Sequence, residues 1–139
     1  YTMEEDYLHG MMKQEDDDGF IPCRDKILAL FLDGLIIKKR GKQENPNAKP
    51  PKVLSGRDRI SNNDILRKIR IAMNYREDDM LAILRLAQFN VGKSELTALF
   101  RKPDHRSYRP CKDQLLRNFL QGMVKKQRPD AVQNRINQI

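Results

Sequence analysis

The sequence has no tryptophan, two cysteines and two histidines in 139 residues, and aromatic residues make up only 6% of it. Two cysteines are too few for a disulfide scaffold and fit a reducing compartment. No apolar run approaches the ~18 residues that a transmembrane helix needs, which excludes a helical membrane span, and no membrane partner is expected. The first residues lack the basic-then-apolar layout of a secretory leader, and the cysteine count makes the cytoplasm the expected location. Acid is the minority charge: 27 Lys+Arg stand against 19 Asp+Glu, for a net charge of +8 and a pI of about 9.7. That charge is unevenly spread, with −6 over residues 1–37, +6 over 38–59 and +8 over 60–139.

What is present, first of all, is a repeat. Phe20-Ile21-Pro22-Cys23-Arg24-Asp25-Lys26-Ile27-Leu28 aligns with Tyr108-Arg109-Pro110-Cys111-Lys112-Asp113-Gln114-Leu115-Leu116 at an offset of 88 residues. The offset holds without gaps from Leu8 and Leu96, through Asp16 and Asp104, to Gly34 and Gly122 and to Arg40 and Arg128. Residues 1–41 and 89–129 therefore read as two copies of one unit. The second copy has an upstream portion, Ser61 to Gln88, with no counterpart before Tyr1. Repeat logic predicts about one more helix pair upstream of the first copy in the native protein.

The fold class expected is all-α: two tandem copies of a small helical unit joined by a basic, Pro-containing linker, the first copy lacking its N-terminal helices. In domains, this is a partial first repeat over 1–41, a linker over 42–59, a complete second repeat over 60–129 and a polar tail over 130–139. In the second repeat, Ser61 or Asn62 caps a first helix with Ile65, Leu66, Ile69, Ala72 and Met73 on one face and Arg67, Ile71 and Asn74 opposite. Asp78 caps a second helix. A third runs from Gly92 to Lys102 and is stopped by Pro103. The fourth, Lys112 to Gln127, carries Leu115, Leu116, Phe119, Leu120, Met123 and Val124 as a broad inward stripe, matched in the first copy by Ile27, Leu28, Phe31, Leu32, Leu35 and Ile36. Matching stripes would most simply pair the copies with each other or with a second chain.

Several stretches resemble the YehS-like family, small uncharacterised bacterial proteins with two tandem copies of a domain of unknown function. They are Asn62-Asn63-Asp64-Ile65-Leu66-Arg67-Lys68-Ile69-Arg70, Asp78-Asp79-Met80-Leu81-Ala82-Ile83-Leu84, Leu99-Phe100-Arg101-Lys102, Cys111 to Leu120 and, in the first copy, Phe31 to Gly41. The resemblance implies a bacterial, cytoplasmic protein. It brings no activity, cofactor or partner, so no catalytic residue is carried over. Family members normally begin with a counterpart of Asn62 to Gln88, in keeping with the upstream helix pair expected above.

Chemistry-bearing residues give little toward an enzyme. The run Glu15-Asp16-Asp17-Asp18-Gly19 can be threaded on a calcium loop, but Gln14 falls at its first position and Asp25 at its twelfth, so a solvated loop is the preferred reading. Cys23 and Cys111 each precede a helix; a small buried side chain is preferred there over a reactive thiol, since neither has a CxxC or a neighbouring His. His9 and His105 are not repeat partners and make no metal site. Asp25 and Asp113 suit helix starts, and Asp16 and Asp104 the amides of the preceding loop. No nucleophile with its base, no ligand cluster and no phosphate-cradling loop is present, so neither a cofactor nor a small-molecule substrate is expected and the chain is read as not an enzyme.

The basic residues remain. Lys38, Lys39, Arg40, Lys42, Arg57, Arg59, Arg67, Lys68 and Arg70 are candidate phosphate contacts, with Arg67 and Arg70 expected on the outer face of their helix. No aromatic residues interleave them for base stacking. Because they concentrate in a linker rather than on one helix face, a non-catalytic helical interaction or adaptor module, with a protein partner or self-association, is preferred. An RNA- or DNA-binding protein is the alternative.

Overall fold

The computed structural model describes residues 5–41 and 59–128, and it is all-helical, with six helices and no strand among those residues. The chain divides into two compact units, Tyr1–Ile60 and Ser61–Ile139.

In the first unit a short helix α1 (Glu5–Met11) is followed by a loop and the long helix α2 (Asp25–Arg40). The Asp25 carboxylate accepts the Ile60 backbone N–H at 2.9 Å at the start of α2. At the other end Gly41 takes a φ of 78°, open to a residue without a Cβ, and its N–H closes on the Ile37 carbonyl. Lys38, Lys39 and Arg40 fill the last turn, where cations complement the helix dipole.

The second unit holds α3 (Asn62–Met73), α4 (Glu77–Leu86), α5 (Lys93–Leu99) and α6 (Asp113–Gln127). Ser61 caps α3, its hydroxyl accepting the Asp64 N–H at 3.1 Å. Helix α4 begins one residue ahead of the expected cap: Asp79, not Asp78, reaches back to the Arg76 N–H at 2.8 Å. The core gathers Leu66, Met80, Ile83, Leu84, Leu96 and Phe119, all fully buried. At roughly 1.5–3 kcal/mol for each large apolar side chain, their burial is the main stabilising term of the unit. Helix α4 is seated chiefly on α6, and Gly122 makes this seat, since a Cβ there would fall on the Ile83 carbonyl. Tyr75 meets Phe119 edge-on, 6.4 Å between ring centres.

Helix bounds follow the 88-residue offset of the sequence: α5 starts and ends 88 residues after α1, and α6 starts 88 residues after α2. Loop hydrogen bonds follow it too. The Ile21 N–H donates to the Gly10 carbonyl as Arg109 does to Ala98, and the Phe20 N–H to Asp17 as Tyr108 does to His105.

Three expectations are corrected. Helix α5 ends at Leu99, three residues before Lys102: Pro103 offers no N–H to the Leu99 carbonyl, and side chains from α3 take the carbonyls of Leu99 and Phe100 instead. The α6 stripe is narrower than expected: Phe119 is buried, whereas Leu120 and Val124 are 41% and 51% exposed. Matched positions also differ, for Phe31 is 58% exposed where its counterpart Phe119 is at 0%. Helix α4 lies over α6, and the described residues of the first unit hold no helix equivalent to α4.

Candidate functional site

The α5–α6 connection is anchored from α3 by one buried side chain. Asn63 donates from its amide to the carbonyls of Leu99 and Arg109, both at 2.9 Å, and its oxygen accepts the Cys111 N–H at 2.8 Å. Three backbone groups at the two ends of a loop are thereby satisfied by one residue. Beside it, the Asn62 amide donates to the Cys111 carbonyl at 3.0 Å and to the Asp113 carboxylate at 2.7 Å. Asp113 thus ties the start of α6 to α3 through Asn62, while the N-cap position of α6, Lys112, makes no side-chain cap bond. Sequence reasoning singled out Asn62 as a cap and passed over Asn63. The available signal was register: Asn63 lies three residues before Leu66 on the inward face of α3.

The basic residues of α3 do not project freely as expected. Arg67 is half-buried and donates to the Phe100 carbonyl at 3.1 Å. Arg70 donates to the Tyr75 carbonyl at 3.3 Å, and its guanidinium lies 4.6 Å from the centre of the Phe100 ring. Both brace the loop and the end of α3, because an arginine stem can lie along apolar surface while its head bonds carbonyls. Lys68 is also half-buried. Among the other candidate contacts, Lys38, Lys39 and Arg40 are exposed together at the end of α2, and Arg59 is exposed. Lys42 and Arg57 lie outside the described residues.

What the braced loop carries is a different basic site. An open groove of about 690 Å³ lies between α5, the loop and the start of α6. Its cationic wall is Arg101, Arg106, Arg109 and Lys112, all exposed, and Glu95 is the one acidic group that lines it. Phe89, Val91, Leu99 and Leu115 supply apolar lining. His105 shapes the loop: its Nδ1 accepts the Ser107 N–H at 3.0 Å, which places the ring proton on Nε2. The Arg101 guanidinium lies 3.5 Å from that Nε2. The loop amide that Asp16 was expected to hold is taken by its neighbour, as the Gln14 N–H donates to Asp17 at 3.1 Å.

The two thiols differ. Cys111 is buried and Cys23 exposed. Burial, and then the Asp113 carboxylate, push the Cys111 thiol up to about 11. Cys23, though largely exposed, is likewise raised, by the part of it that is buried and then by Asp25. A thiol held above its ordinary range stays protonated at neutral pH, the opposite of nucleophile activation.

The described residues thus form a small all-helical protein with an open groove lined by four exposed cations on a braced loop. The chain belongs to the family described as protein of unknown function (DUF1456), whose pattern matches residues 1–41 and 62–128. It is 47% identical over 116 residues to the uncharacterized protein YehS of Escherichia coli (strain K12), covering 84% of this chain and 71% of that relative. No solved structure matches it. No helix among the described residues is long and apolar enough to cross a membrane.

Proposed function

We propose that this is a bacterial, cytoplasmic, non-catalytic interaction module whose basic groove receives an acidic protein segment. The observation that carries the reading is the groove itself, with four exposed cations facing a single carboxylate beside apolar lining. Cations there steer an acidic partner and fix its register, while the apolar lining supplies area to bury. The test is a fluorescence titration with a labelled acidic peptide carrying one aromatic residue, against a neutral peptide of the same length. Binding that is lost in Arg106→Glu/Arg109→Glu supports the reading; equal binding of both peptides overturns it.

A second reading, nucleic-acid binding through phosphate contacts, is favoured by one observation, the exposed trio Lys38, Lys39 and Arg40 in a single helical turn. Substituting this trio is a cleaner test than reversing Arg67 and Arg70, whose loss would loosen the α5–α6 loop.

A further inference from the structure

The loops that join α1 to α2 and α5 to α6 share one backbone frame and carry opposite charge. Residues 13–21 hold Lys13 and the run Glu15, Asp16, Asp17 and Asp18, for a net −3; residues 101–109 hold Arg101, Lys102, Arg106 and Arg109 against Asp104, for a net +3. All four acidic side chains of the first loop are exposed. The one cation beside them, Lys13, donates to the Asp18 backbone carbonyl at 2.8 Å, and the Asp17 carboxylate accepts the Gln14 N–H at 3.1 Å. The acidic loop is therefore held in shape by its own bonds, which lowers the ordering cost of docking. In the second unit the matching loop forms the cationic wall of the groove.

We propose that the basic groove of one molecule binds the acidic loop of a second copy of this chain. The inference rests on the interaction-module reading and names its partner. Each chain carries one acidic and one basic element, so pairing between copies brings unlike charges together, whereas groove on groove or loop on loop repels. Because the charges on both sides are exposed, the association weakens as salt shortens the reach of their attraction.

Sedimentation velocity of the full chain across a dilution series, at about 25 mM and about 500 mM salt, reads the association. Self-association at low salt, weakened at high salt, is expected. Loop reversal (Asp16→Lys/Asp18→Lys) and groove reversal (Arg106→Glu/Arg109→Glu) should each weaken it by about tenfold or more. An equimolar mixture of the two variants should associate again, because each then offers the charge that the other needs. Circular dichroism of both variants checks that the helices are intact. A wild-type chain that stays monomeric at low salt overturns the proposal, as does a mixture that fails to associate. If that monomer still binds the acidic peptide through Arg106 and Arg109, the pairing of copies fails while the interaction-module reading stands. If self-association and peptide binding are both absent, both readings fail.

Discussion

Asn63 uses its side chain on three backbone groups and so ties two loop ends to a helix. Replacing it with alanine leaves buried carbonyls and an N–H without partners, so Asn63→Ala should cost about 3 kcal/mol, as read by urea denaturation. Asn63→Asp should be at least as harmful despite its matching shape, since a carboxylate offers no donors and faces two carbonyls. Cys111 sets a pH dependence. Its thiol is pushed from the ordinary 9.0 up to about 11, so the folded state holds this proton more tightly than the unfolded one. The resulting stability is fully present below pH 9 and is lost as pH rises from there toward 11. Denaturation curves should therefore show a fall in stability across that window that is smaller in Cys111→Ala. In the native protein Cys23 should react with a thiol reagent well before Cys111, because only Cys23 is exposed.

Among the elements, α2 and α6 invite direct comparison, being matched in sequence and different in surroundings. Gly122 sits against the Ile83 carbonyl, whereas among the described residues nothing lies within 4 Å of a Cβ built on its counterpart Gly34. Gly122→Ala should destabilise the protein by about 2 kcal/mol or more, because α4 must move away. Gly34→Ala should stabilise it by about 0.5–1 kcal/mol, since a helix-interior glycine is replaced with no clash. Thermal melts of the two variants check this, and a destabilising Gly34→Ala would mean that something occupies the α2 face. Element existence was legible in the sequence: 3.6-residue periodicity, caps at Ser61 and Gly92, and the repeat itself placed α2, α3, α5 and α6. The partners of the carbonyls at the end of α5 were not legible, because Asn63 and Arg67 lie more than thirty residues away in the chain.

Over the whole molecule, charge is the dominant feature, and its distribution separates the competing readings. If the exposed Lys38, Lys39 and Arg40 contact phosphates, substituting all three with alanine should reduce the salt slope of RNA or duplex DNA binding by about two to three units. Titrations at several salt concentrations check it, and an unchanged slope would remove that trio from consideration. By itself the sequence determined the all-helical class, through periodicity, and the family, through local motifs. Its opposing local charges were also countable before any fold was known. Only tertiary structure decided which cations are free. Arg67 and Arg70 look solvent-facing on a helical wheel, yet the α5–α6 loop folds back over α3 and engages them, while Arg101, Arg106, Arg109 and Lys112 are gathered into one groove by that same loop. Periodicity reports which face of a helix is apolar; it carries no information about a loop distant in sequence that closes over the polar face, because that closure depends on side-chain hydrogen bonds between distant residues.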